Sequence, residues 1–94
     1  MRVTFVDITS RYFGELCEVT GLGEETLSIE TGSRLIDLIT QLTGTYGKEF
    51  RLMVDGRDRY VILINGQHYE VLGGKETILK TGDRVVFLPA TMGG

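Results

Sequence analysis

The sequence has few of the residues that build disulfide-rich, metal-binding or membrane-spanning proteins. Its one cysteine, Cys17, excludes a disulfide framework and any metal or iron–sulfur site that needs four thiolates. No apolar run approaches the ~18 residues that a membrane span needs, and the first residues have a strand-like pattern rather than that of a signal peptide. We therefore expect a soluble, cytoplasmic protein that has no contact with a membrane.

Positive charge and histidine are also scarce. Ten Lys and Arg residues stand against 13 Asp and Glu residues, and the net charge of −3 argues against a nucleic-acid partner. The one histidine, His68, has no second histidine, cysteine or acidic pair beside it, and Cys17 has no local base to activate its thiol. Because no nucleophile–base pair or metal-ligand set is visible, a free-standing enzyme is the least favoured function. We expect no metal or cofactor bound by the protein itself.

Ninety-four residues are enough for one small domain, and no repeat, linker or low-complexity segment divides residues 1–94. Apolar runs and alternating patterns predict strands at residues 2–8, 26–30, 60–64, 67–71 and 84–88. Segment 50–54 is interpreted as a weak strand or an extended link. Asn65-Gly66 is typical of a type I′ hairpin turn, in which both residues take positive φ. Pro89 ends the last strand because proline has no N–H to donate to a sheet.

One amphipathic helix is predicted near residues 33–46. Its apolar residues recur at helical spacing: Leu35, Ile39, Leu42 and Tyr46. Thr31 or Ser33 is expected to cap the N-terminus of this helix. A hairpin, one crossing helix and further strands predict an α+β fold of the β-grasp type, with a mixed sheet of four to five strands and the helix across one face. The first and last strands are expected side by side in the middle of the sheet. The predicted core comprises Val3, Phe5, Leu27, Ile29, Leu35, Ile39, Leu42, Val61, Leu63, Val85 and Phe87.

The end of the chain has an unusual composition. From Val85 to Gly94 no side chain carries a charge, so the terminal carboxylate is the only charge beyond Arg84. Gly93 and Gly94 have no Cβ and can enter a channel that is too narrow for other residues. Residues 90–94 are therefore predicted to form a flexible tail that delivers the carboxylate of Gly94 into the active site of another protein. A frayed terminus without a function is the alternative.

Strand alternation predicts a second functional surface. If Phe87 faces the helix, Val86 and Leu88 face away from it, because successive side chains of a strand point to opposite faces. Val6 is expected on the same outer face, since the first and last strands are predicted to be neighbours. We predict that Val6, Val86 and Leu88, together with Met92 in the tail, bind a protein partner. Isolated surface apolar residues are the alternative.

Several of these motifs together resemble a known family. Residues 11–16 after the first strand, the Ile64-Asn65-Gly66 turn, and residues 79–89 leading to Gly93-Gly94 resemble the ubiquitin-like sulfur carriers. That family includes the small subunit of molybdopterin synthase, the thiamine-pathway sulfur carrier and the archaeal ubiquitin-like modifiers. The resemblance covers nearly the whole chain and implies the ubiquitin-like form of the β-grasp fold.

The resemblance also implies a function. An E1-like enzyme would adenylate the carboxylate of Gly94 with ATP while Gly93 threads the channel, and a persulfide sulfur donor would then displace AMP to give a thiocarboxylate. The sulfur would serve molybdopterin or related biosynthesis, with a large synthase subunit as a further partner. The sequence has one proline, Pro89, where the small molybdopterin synthase subunit usually has two, and Met92 is bulkier than the residue usual there. Two alternatives stay open: a ubiquitin-like modifier joined to lysines through Gly94, and a non-covalent interaction module.

Overall fold

Five strands form one mixed sheet in the computed structural model, which describes residues 2–56 and 60–90. The strands are β1 (Phe5–Tyr12), β2 (Glu24–Glu30), β3 (Tyr60–Ile64), β4 (Gln67–His68) and β5 (Arg84–Pro89). Their order across the sheet is β2-β1-β5-β3-β4. Strands β1 and β5 lie side by side and are parallel, whereas the other neighbouring pairs are antiparallel. The predicted mixed sheet, with its first and last strands adjacent, is thus confirmed.

The helices bury their apolar side chains mainly against one face of the sheet, which we call the inner face. They are α1 (Glu15–Thr20), α2 (Leu35–Tyr46), α3 (Lys48–Asp55) and α4 (Tyr69–Leu72), followed by a 3-10 helix (Gly74–Glu76). Within residues 2–56 and 60–90, none of these helices is long and apolar enough to cross a membrane. The predicted main helix is confirmed as α2. Its N-cap is Arg34 rather than Thr31 or Ser33, and the backbone N–H of Arg34 donates a hydrogen bond to the Asp37 carboxylate at 2.8 Å.

The core between the sheet and the helices contains most of the predicted residues. Those that are buried are Ile29, Leu35, Ile39, Leu42, Val85 and Phe87, and Leu27 is half-buried against them. Phe87 is at the centre of an aromatic cluster. Its ring stacks on Tyr12, with centroids 5.7 Å apart, and meets Phe50 edge-on at 5.5 Å. Such aromatic pairs stabilise a core beyond the area that they bury.

The prediction that Val3 and Phe5 belong to the core is wrong. Both are largely exposed, at 61% and 60%. The first strand begins three residues later than predicted and continues to Tyr12, so that Ile8 and Tyr12 occupy the inner face of β1. Side chains two residues apart share a face, and the odd-numbered Phe5 therefore lies on the opposite side from these even-numbered residues, whereas Val3 precedes the strand.

The predicted orientation of β3 is also wrong. Ile62 and Ile64 are buried in the core, whereas Val61 and Leu63 lie on the outer face. Residues 60–64 are apolar on both faces, so their sequence has no alternation that would distinguish the two orientations. The pairing with β5 decides between them, because Ile62 lies opposite Phe87. The hairpin turn after β3 is confirmed, with φ of 52° at Asn65 and 84° at Gly66.

Two segments that were predicted to be extended are helical. Segment 50–54 lies in α3, where Phe50, Met53 and Val54 are buried at the i, i+3 and i+4 spacing of one helix face. The strand predicted at 67–71 ends at His68. The Nδ1 atom of His68 accepts a hydrogen bond from the backbone N–H of Glu70 and caps the start of α4.

Two tyrosines share one carboxylate at the edge of the core. The hydroxyl groups of Tyr12 and Tyr46 both donate hydrogen bonds to Oε2 of Glu25, the second at 2.7 Å. Burial, reinforced by the hydrogen bond to Glu25, raises the pKa of Tyr12 far above its usual value. The same two causes raise the pKa of Tyr46 to about 12. Both phenols are therefore protonated wherever the protein is folded at ordinary pH.

Phe87→Ala should lower the free energy of unfolding by about 3–5 kcal/mol, because it removes a fully buried ring and leaves a cavity between the sheet and α3. Val71→Ala is the matched control, since Val71 is 77% exposed and surface truncations usually cost less than about 0.5 kcal/mol. Chemical denaturation measures both variants. A loss below about 1 kcal/mol for Phe87→Ala would contradict the central position of this ring.

Alkaline pH should destabilise the fold through the two tyrosines. Their pKa values are raised in the folded state, so folding favours the protonated phenols, whereas the unfolded chain releases these protons near pH 10. The free energy of unfolding should therefore fall as the pH rises above about 10. Tyr46→Phe removes one of the two contributions, so its free energy of unfolding should fall less steeply with pH than that of the wild type. Urea denaturation measures this over pH ~9–12, the range in which tyrosine titrates. Parallel curves for the variant and the wild type would contradict the role of Tyr46.

Candidate functional site

The chain leaves the sheet at Pro89, the last residue of β5, which lies opposite Tyr60 of β3. Ala90 follows and is the last residue that the structure describes. The predicted site residues Met92, Gly93 and Gly94 lie outside the described residues, so their roles stay predictions, as does the flexible tail at 90–94. The structure does describe the residues that surround Pro89, where the predicted tail begins.

The ring of Pro89 packs closely against Gly14. Gly14, in the turn between β1 and α1, has a φ of 66°, in the left-handed region that favours glycine. A Cβ atom at this position would lie 2.5 Å from Cγ of Pro89 and 3.1 Å from the hydroxyl oxygen of Tyr60. Both the backbone conformation and the close approach of the proline ring therefore require glycine here.

The Tyr60 hydroxyl holds the turn that contains this glycine. It accepts a hydrogen bond from the backbone N–H of Leu16 and donates one to the carbonyl oxygen of Phe13, each at 3.0 Å. The backbone N–H of Phe13 in turn donates to the carbonyl oxygen of Phe87 in β5 at 3.1 Å. The turn, β3 and the end of β5 thus form one hydrogen-bonded unit, which we call the tail base and define as Phe13, Gly14, Leu16, Tyr60 and Pro89.

The face of the sheet opposite the helices has an apolar patch in its middle. Leu88 of β5 lies opposite Val61 of β3, and Val86 lies opposite Leu63. All four side chains are half-buried. We call these four residues the outer patch. It adjoins the tail base along the chain, because Leu88 directly precedes Pro89.

The outer patch differs in two ways from the predicted partner surface. Val6 is not part of it: it lies opposite Ile29 and packs against the core, since it shares the inner face of β1 with Ile8. Val61 and Leu63 belong to it but were assigned to the core. The signal for them is the apolar run of residues 60–64, which supplies apolar side chains to both faces. Val86 and Leu88 are on the outer face, and their binding role stays a prediction.

Polar residues border the outer patch. Arg11 of β1 lies opposite Val86, with its Nε atom 3.2 Å from the Glu24 carboxylate and its guanidinium 5.2 Å from the centre of the Phe13 ring. His68 lies opposite Leu63 on the other side. An apolar centre with a polar rim is typical of surfaces that bind proteins reversibly.

A shallow cavity of about 380 Å³ opens beside Ala90, between the end of α3 and strand β3. Asp55 lies at its wall and accepts hydrogen bonds from Arg51 Nε at 2.6 Å and from Lys75 Nζ at 3.1 Å. Burial alone would raise the pKa of Asp55, but these two hydrogen bonds outweigh burial, and its pKa is lowered. A carboxylate that is paired and held ionised in this way is a poor general base.

The described part of the chain presents no metal centre: no group of three or more His, Cys, Asp or Glu side chains within it is arranged to hold an ion. Cys17 is half-buried in α1. His68 caps α4, and its ring stacks on Tyr69 with centroids 5.0 Å apart. The described residues thus present an apolar patch on the outer face and a hydrogen-bonded tail base at the end of β5.

Solved structures resemble this chain over almost its whole length. The small archaeal modifier protein 1 from Methanosarcina acetivorans is 29% identical, with 96% of this chain and 98% of that one covered and a TM-score of 0.76. Urm1 from Trypanosoma brucei is also 29% identical, with 96% and 97% covered and a TM-score of 0.73. A putative molybdopterin converting factor, subunit 1, from Pyrococcus furiosus is 26% identical, with 89% and 97% covered and a TM-score of 0.75. A comparison with curated protein sequences gives no match.

These likenesses confirm the ubiquitin-like β-grasp fold. The family model described as the ThiS family matches residues 10–94, a range that includes the tail base, the outer patch and the C-terminal Gly93-Gly94. The chain therefore belongs to the ThiS family of ubiquitin-like proteins, whose members are small carriers or modifiers rather than catalysts.

Proposed function

We propose that this protein is a sulfur carrier whose reactive group is the carboxylate of Gly94. The observation that supports this most is the continuity of strand β5. Its outer side chains Val86 and Leu88 lie in the outer patch, and its last residue, Pro89, belongs to the tail base from which the uncharged C-terminal residues continue. A partner that binds the outer patch would therefore have the C-terminal residues beside its own active site.

The proposed chemistry takes place in that partner, an E1-like adenylating enzyme that supplies the ATP site. A carboxylate oxygen of Gly94 attacks the α-phosphate of ATP, which forms an acyl-adenylate and releases pyrophosphate. The terminal sulfur of a persulfide donor then attacks the carbonyl carbon, and AMP leaves. A second thiolate, on the donor or the enzyme, then attacks the donor-side sulfur of the resulting acyl disulfide. The S–S bond breaks, the thiocarboxylate stays on Gly94, and the two thiol groups end as a disulfide. The carrier itself binds no cofactor in this scheme.

The scheme requires that the residues after Ala90 reach from the surface of the carrier into the active site of the enzyme. Four residues follow Ala90, and when extended they span about 14 Å at ~3.4 Å per residue. That length carries the carboxylate from the surface of the carrier into a buried site of the enzyme. Gly93 contributes by its thinness, because a side chain at that position would widen the strand that enters the channel. A large synthase subunit that uses the sulfur for molybdopterin or related biosynthesis would bind the same surface in a later step, in the cytoplasm.

A second candidate function is favoured by one comparison. A relative with 29% identity is named a small archaeal modifier protein. A modifier would use the same adenylate but join the carbonyl of Gly94 to the amine of a lysine on another protein, with an amide as the product. Thiocarboxylate and amide products are distinguished by mass spectrometry of the protein and of its conjugates from the native host.

Deletion of Gly94 should abolish ATP–pyrophosphate exchange catalysed by the cognate E1-like enzyme, because it removes the reacting carbonyl from its position. Addition of one residue after Gly94 should do the same, and Gly93→Val should impair exchange strongly through its branched side chain. The thermal midpoint of all three variants should match that of the wild type, since none changes the core. Exchange by the Gly94 deletion at the wild-type rate would contradict both the carrier and the modifier function, and would favour a non-covalent module.

Leu88→Asp should raise the KM of the carrier in the activation assay by about tenfold or more, because it places an unpaired charge in the binding face. Val71→Asp introduces the same charge at a residue that is 77% exposed and outside the outer patch, and it should leave KM unchanged. Calorimetric titration with the enzyme and thermal unfolding of both variants complete the measurement. An unchanged affinity for folded Leu88→Asp would exclude the outer patch from the interface.

A further inference from the structure

We propose that the hydroxyl group of Tyr60 is a positioning group, which sets the direction in which the chain leaves the sheet toward its C-terminus. This inference rests on the proposed function, because the direction matters only if the carboxylate of Gly94 must reach a partner's active site. Tyr60 touches no reacting atom in this account. It acts through Gly14 and Pro89, with which it forms the tail base.

The hydroxyl group of Tyr60 binds main-chain atoms on both sides of Gly14. It donates to the carbonyl oxygen of Phe13 and accepts from the N–H of Leu16, and both distances are 3.0 Å. Its partners are 47 and 44 positions away in the sequence. These two backbone groups flank Gly14 and Glu15, and the two hydrogen bonds tie this short segment to β3.

Because Gly14 is in close contact with the ring of Pro89, a fixed Gly14 also restricts Pro89. The position of a Cβ on Gly14 lies 2.5 Å from Cγ of Pro89 and 3.1 Å from the hydroxyl oxygen of Tyr60, so the proline ring and this hydroxyl both approach the same side of the glycine. A proline has a fixed φ near −65°. When the ring of Pro89 is held against Gly14, the direction of the peptide that leads into Ala90 is therefore restricted as well.

A structural role alone would explain part of this arrangement. Leu16 lies in the first turn of α1, and its N–H is one of the donors that a helix leaves without a partner in its own backbone. Tyr60 satisfies this donor. The bond to Phe13 and the contact of Gly14 with Pro89 are not needed for that purpose. The two roles differ in what they predict for catalysis by the activating enzyme.

If Tyr60 positions the C-terminal residues, its removal should slow the chemical step and leave binding unchanged. The outer patch lies on the opposite face from Tyr60, whose ring packs against the core. The docking contacts should therefore survive in Tyr60→Phe, which keeps the ring and loses only the hydroxyl group. Small displacements of a reacting group reduce rates far more than they reduce binding.

The test is steady-state activation of the carrier by the cognate enzyme, with Tyr46→Phe as the matched control. Tyr46 loses a hydrogen bond to Glu25 in the same substitution but does not touch the tail base. For Tyr60→Phe we expect kcat to fall about tenfold or more with KM within about twofold of the wild type, and no change in kcat for Tyr46→Phe. An unchanged kcat for Tyr60→Phe, or a rise in its KM alone, overturns the positioning role.

A second measurement is independent of activation. Residual dipolar couplings of the free protein report the orientation of the Ala90 N–H relative to the sheet, and this orientation should change in Tyr60→Phe but not in Tyr46→Phe. Gly14→Ala, which displaces Pro89 from the other side, should change it as well. If the wild type is not activated at all, the proposed function fails. The couplings then still show whether the Tyr60 hydroxyl group sets the orientation of Ala90. If the orientation of Ala90 is the same in all the variants, the inference about Tyr60 is wrong whatever the wild type does.

Discussion

The alternation of side chains along β5 is the constraint on which the rest of the structure depends. This strand lies in the middle of the sheet between β1 and β3, and both of its faces are used. Val85 and Phe87 point inward to the helices, whereas Val86 and Leu88 point outward. A slip of one residue in its pairing would exchange the two sets. The register of β5 therefore determines the core and the outer patch at the same time.

The same strand connects stability with the proposed function. The aromatic rings around Phe87 anchor β5 from the inner face, and the outer patch lies on the other face of this strand. In the proposed function, the aromatic anchor and the partner-binding face are on opposite sides of one strand, so binding would leave the core undisturbed. The β5 strand then ends at Pro89, whose backbone nitrogen has no hydrogen to donate to a sheet.

In the proposed function, the outer patch binds the partner and the tail base orients the C-terminal residues. The outer patch is apolar in its centre and bordered by Arg11 and His68, a composition typical of surfaces that bind proteins. The tail base is held by hydrogen bonds and a close glycine–proline contact, which restrict the position of Pro89. In the proposed mechanism the carrier supplies only a carboxylate, its position and its accessibility. The enzyme supplies the nucleotide and the catalytic groups.

The sequence by itself determined the features that depend on near neighbours in the chain. The amphipathic spacing that begins at Leu35 specified α2, and Asn65-Gly66 specified a turn with positive φ. The order of these elements was enough for the β-grasp fold. The terminal glycines and the uncharged residues before them predicted the delivery of a carboxylate to another protein, and the resemblance to the ubiquitin-like sulfur carriers implied the carrier role.

Only the tertiary structure decided which face each strand presents and how the end of β5 is held. Val6 and Val61 were assigned to the wrong faces because their strands carry apolar residues on both sides, so that only pairing with a neighbouring strand selects the orientation. The helix at segment 50–54 was missed because a short apolar run fits either period until it packs. The contacts of Tyr60 with the turn at Gly14 join positions more than 40 residues apart. No local pattern encodes such a contact, because it exists only when β1, β3 and β5 lie side by side.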